Sequence, residues 1–101
     1  MSSGAVRVGD MSTGHEEGDC FFPPKPAVQG SSNTFINGLA VMRIGDLWET
    51  HCCGSSCHSS VTAQGSPTIF INGRAMMRIG DRISCHTNEL AAQSSSNVFG
   101  N

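Results

Sequence analysis

Apolar positions in this chain come in short runs broken by turn residues, and no stretch repeats at a helical period. Thr34-Phe35-Ile36 is followed by Asn37-Gly38 and then by Leu39 to Arg43, and Ile69-Phe70-Ile71 is followed by Asn72-Gly73 and Arg74 to Arg78. Asn-Gly accepts the positive φ angles of a type I′ turn, so each pair of runs predicts a β-hairpin. A Gly-Asp pair follows (Gly45-Asp46, Gly80-Asp81, and Gly9-Asp10 near the start), a second turn signal because the Asp side chain can bond nearby amides. The pattern predicts an all-β fold.

The hairpins belong to a longer repeat. Gly30 to His51 recurs as Gly65 to His86 at an offset of 35, identical at 13 of 22 positions. The N-terminus supplies the second half of a third copy, since Val6 through His15 overlays Met42 through His51 at an offset of 36; Ala92 through Phe99 echoes Ala63 through Phe70 and supplies the first half. Both alignments place a chain end, Met1 and Asn101, on the Asn of the hairpin turn. Units this small cannot bury their own apolar faces and must lean on one another, so the expected architecture is a single domain over 1–101 with pseudo-threefold symmetry. Its ring closes where Asn97-Val98-Phe99 pairs with the strand beginning near Ala5.

Leu, Ile, Val and Phe account for 20 of 101 residues, a thin core of the kind that usually needs a metal or disulfide staple. A net charge of only −2 argues against disorder, and without single-sign patches there is no electrostatic case for nucleic acid as a partner. The first residues lack the apolar core of a signal peptide, so the expected place of synthesis is a reducing cytosol. In that setting five cysteines read as metal ligands or buried small residues rather than as a disulfide framework.

His15, His51 and His86 each fall five residues after a Gly-Asp aspartate. Equivalent positions in a closed ring converge near its axis, and three imidazoles there form a half-built zinc site that one more nitrogen or sulfur would complete. The cluster from His51 to His58, with Cys52, Cys53 and Cys57 between, offers candidates.

Arg7-Val8-Gly9-Asp10 with Thr13-Gly14-His15, the paired Phe-Ile-Asn-Gly and Arg-Ile-Gly-Asp units, and Ile83-Ser84-Cys85 after the last Gly-Asp together resemble the PAAR-repeat proteins over almost the whole chain. Members of that family cap the spikes of type VI secretion systems and contractile phage tails. The resemblance implies a small β-rich cone with one structural zinc near its tip, held by His15, His51, His58 and Cys85. It also implies a monomer that caps a trimeric β-helical spike, one cap per trimer, on a phage tail or secretion machine, with transient contact with the target membrane as the tip is delivered. The tetrapeptide that names the family is replaced by Ala40-Val41-Met42-Arg43 and Ala75-Met76-Met77-Arg78, where only the Arg survives. His86 stands where the family usually has Gly. His58 is preferred to it as a ligand because a strand-like backbone at Cys85-His86 would point the two side chains apart, leaving His86 facing away.

Remaining features read as structural. Phe21 to Pro26 is expected to bridge unit one to unit two, Met42, Met76 and Met77 to fill a thin core, and Trp48 to shield the ion from water. Cys20, Cys52 and Cys53 lack the spacing of a second metal site, and Asp10, Asp46 and Asp81 belong to turns rather than to a catalytic carboxylate ring. The rival functions are a small zinc hydrolase, opposed by the cysteine ligand and by the lack of an evident general base, and an adaptor carrying a noncovalently bound effector.

Overall fold

At Asn37 and Asn72 the backbone φ is 55°, followed by 79° at Gly38 and Gly73. This left-handed pair is what a two-residue hairpin between right-twisted strands demands, and Asn-Gly adopts it at low cost. In the computed structural model, which describes residues 3–101, each of these turns joins two of a set of short strands. The strands are β1 (Ser3–Gly4), β2 (His15–Glu17), β3 (Cys20–Phe22), β4 (Phe35–Ile36), β5 (Leu39–Ala40), β6 (Leu47–Cys53), β7 (Ser56–Val61), β8 (Phe70–Ile71), β9 (Arg74–Ala75) and β10 (Phe99–Gly100). All pair antiparallel, two by two, and no helix forms among the described residues.

Three of these ribbons are one structure repeated. Phe35 pairs with Ala40 and Ile36 with Leu39; Phe70 pairs with Ala75 and Ile71 with Arg74. Gly4 pairs with Phe99 and Ser3 with Gly100, the same register built from the two ends of the chain. Ala5 extends that pairing through its amide to the Val98 carbonyl, while Met1, the N-terminal partner in the alignment, lies outside the described residues. The ribbons are joined in a cycle. The amide of Met42 donates to the carbonyl of Val6 (3.0 Å), Met77 to Met42 (2.9 Å), and Val6 to Met77 (3.0 Å). Single β-bridges Arg7 to Val41, Arg43 to Met76 and Ala5 to Arg78 follow the same circuit.

The core is correspondingly small and layered. Ala5, Val41 and Met76, one from each repeat, form a buried cluster against Ile36, Ile69 and Ile71 of the hairpin segments. The next residues along, Val6, Met42 and Met77, are fully buried in a second cluster with Ala27, Trp48, Ile83 and Ala91. Around both, each Gly-Asp turn is buttressed in the same way. The carboxylate of Asp46 accepts from the Arg43 amide (2.9 Å), Nε (2.9 Å) and Nη2 (3.0 Å), and Asp10 with Arg7 and Asp81 with Arg78 repeat the pattern. Each aspartate thus serves its own turn, and the Arg three positions before it is the residue that holds that turn.

The cysteines depart from the expectation that they avoid disulfides. Cys20 is bonded to Cys53 and Cys52 to Cys57, leaving Cys85 free. The second bridge spans β6 and β7, where the two residues are register partners; the first ties the β2–β3 ribbon to the end of β6. Spacing between cysteines could not reveal this, because pairing follows from which strand ends the fold brings side by side.

Candidate metal centre

Four side chains from three separated segments converge. His15 opens β2 directly after Gly14, whose φ of 73° lets the backbone turn where a Cβ would lie 2.7 Å from the Phe22 carbonyl oxygen. His51 and His58 are register partners on β6 and β7, so the ladder itself sets them side by side. Cys85 comes from the turn that follows Ile83. One ligand atom from each of His15, His51, His58 and Cys85 lies within 4.8 Å of all the others, a group that could hold a metal ion.

Their orientation is set from behind. His51 Nδ1 lies 3.0 Å from the Pro23 carbonyl oxygen, which can only accept, so Nδ1 carries the proton and Nε2 keeps its lone pair. That Nε2 is 2.7 Å from His58 Nε2 and 3.7 Å from Cys85 Sγ. His15 Nδ1 is 2.6 Å from Glu89 Oε1, and its Nε2 is 2.9 Å from Glu17 Oε1. Phe22 stacks on His15 (4.8 Å between centroids) and on His58 (4.4 Å), walling the cluster with an apolar ring. Burial, reinforced by His51 and His15, holds the His58 imidazole below its usual pKa, and burial pushes the Cys85 thiol up.

The structure differs from the sequence expectation at three places. His86 does not face away: its ring stacks on His15 at 4.6 Å, and its Nδ1 accepts from the Asn88 amide (3.1 Å), although it is not one of the four converging donors. The alternation argument fails because Cys85 lies in a turn, not a strand. Trp48 is in the core, its indole N–H on Thr62 Oγ1 (3.1 Å), and the aromatic against the imidazoles is Phe22. Carboxylates do stand beside the cluster, contrary to the expected lack of a base, but Glu17 and Glu89 both engage His15. Nothing local in the sequence marks Glu89, which is 74 residues from its partner.

The chain matches no protein-family model, and no curated protein matches it.

Proposed function

We propose that this chain is a metal-pinned cap for a trimeric β-helical spike, the role of the PAAR-repeat tip proteins it resembles. The observation that carries this reading is the closed circuit of three equivalent hairpins in one chain. Each presents the same aromatic to solvent: Phe35 is 58 % exposed, Phe70 59 % and Phe99 53 %. One molecule thereby offers three matching apolar contacts to a partner that repeats three times around an axis. Strand ends of such a partner carry unpaired amides and carbonyls, which a β-rich cap satisfies.

The layering supports a blunt base at the hairpins and a tip at the metal cluster. Ile36, Ile69 and Ile71 pack on one core cluster, and Cys85 packs on the other. The three-nitrogen, one-sulfur donor set suits a single zinc ion, whose bonds of about 2.0–2.3 Å imply donor separations of roughly 3.3–3.7 Å. Two edges in the structure, 2.7 and 3.7 Å, lie below that range and at its upper end, and the four donor atoms all lie within 4.8 Å of one another. Four protein donors complete a tetrahedral shell, which favours a structural ion over a hydrolytic one with an open position. In a core this thin such an ion would dominate stability, at roughly 10–16 kcal/mol of apparent binding free energy. The two disulfides suit a tip delivered into an oxidising space.

The test is to mix the chain with a trimeric β-helical spike and weigh the complex by light scattering. One cap per three spike chains, from a cap that is monomeric alone, is expected. A homotrimer of this chain would remove the reason for the internal repeat and overturn the reading.

A further inference from the structure

Glu89 is 1 % exposed, and among the described residues the side chain that its carboxylate engages is the His15 ring. Burying a carboxylate costs several kcal/mol unless its oxygens are satisfied, and here both are. Oε1 takes His15 Nδ1 at 2.6 Å, and Oε2 accepts from the Gly14 amide at 3.0 Å. The backbone around it is fixed as well: the Glu89 amide donates to the His86 carbonyl (3.1 Å), and its carbonyl accepts from Ile83 (2.9 Å). The turn that supplies Cys85 thus also supplies the group that grips the histidine of another repeat.

A neutral imidazole has one N–H, and two carboxylates compete for that of His15. Glu17 meets Nε2 from the surface, its side chain 44 % exposed, and is free to swing into solvent. Glu89 is enclosed and held at two points. We infer that Glu89 is a positioning residue for the cluster: it keeps the His15 proton on Nδ1 and so leaves Nε2 the lone pair with which it can join His51, His58 and Cys85. Pro23 does the same for His51 through a carbonyl. The inference rests on the metal reading of these four residues. Outer partners of this kind orient a ligand and raise its basicity, and their loss typically costs 10–100-fold in metal affinity.

The test uses the full chain with Glu89→Ala, Glu89→Gln, and Asp81→Asn as a control at another buried carboxylate. Zinc affinity is measured on folded protein by competition with a chromophoric chelator, and the His15 tautomer by long-range nitrogen–proton NMR with and without zinc. About 10–100-fold weaker binding is expected for Glu89→Ala, with partial rescue by Gln, which can still accept from Nδ1, and no change for Asp81→Asn. His15 should show Nδ1–H in the wild type and mixed tautomers in Glu89→Ala. Equal affinities with an unchanged tautomer, or a loss matched by Asp81→Asn, would overturn the inference. If the wild type takes up no zinc, the metal reading falls, and the tautomer in the metal-free chains still decides the role of Glu89. Should the Ala variant fail to fold, Gln against wild type carries the same comparison.

Discussion

Gly4 and Phe99 come from opposite ends of the chain and pair as Ala40 and Phe35 do inside it. The third hairpin is therefore made of two termini, with Phe99 exposed like its two counterparts. Joining distant segments costs loop-closure entropy that grows only slowly with length, so the recovered pairing can offset it.

Deleting Ser95 to Asn101 should open that third of the ring. It removes the Ser95 amide bond to Ala5 (2.8 Å) and the Ser95 hydroxyl bond to Asn37 (2.7 Å) along with the β1–β10 pairing. The expected outcome is a lower melting temperature and loss of spike docking, with zinc content retained, since all four donors and Glu89 precede the cut. Tight capping by the truncated chain would show the segment to be dispensable. A circular permutant opened at Asn37-Gly38, its original ends joined by a short Asn-Gly linker, should fold with an unchanged circular dichroism spectrum.

Metal content should rank the histidines. Replacing His15, His51, His58 or Cys85 by Ala is expected to weaken zinc binding by more than the roughly 10–100-fold that an outer partner is worth, and replacing His86 by less. Elemental analysis of purified variants, with about one zinc per wild-type chain, provides the check. A larger loss at His86 than at His58 would make the repeat position the better guide.

Oxidised, metal-free protein should titrate one thiol per chain when unfolded, that of Cys85, and five after reduction. Breaking the Cys20–Cys53 bridge with Cys20→Ser should lower stability by about 2–4 kcal/mol, because the bridge closes a long loop in the unfolded chain. Denaturant titration measures this. Five reactive thiols without a reductant would mean that the pairs do not form.

Asp46 is fully buried and receives Arg43 along both oxygens, with Arg74 adding a contact at 3.3 Å. Arg43→Met should cost about 3 kcal/mol or more, since a buried carboxylate loses its main partner. Arg74→Met, at a side chain 42 % exposed, should cost under about 1 kcal/mol. Equal effects in urea melts would show that Asp46 does not depend on its own repeat.

What the sequence determined by itself was whatever short range dictates and repetition amplifies. Asn-Gly sets a turn from two residues, and its recurrence at Asn37 and Asn72, with matching halves at the chain ends, implied the hairpins and the closing of the ring. The spacing of His15, His51 and His86 after their Gly-Asp turns implied convergence. Only the tertiary structure decided which other groups arrive there. Cys85 lies in a turn and His86 in the irregular segment just after it, where no alternation rule covers side-chain directions, and His86 stacks on His15 instead of pointing away. Phe22, Pro23 and Glu89 reach the histidines from segments that the repeat does not relate, and the cysteines pair by the proximity of strand ends. Such contacts are set by packing across the chain, and a side chain's neighbours there are not written in its own local pattern.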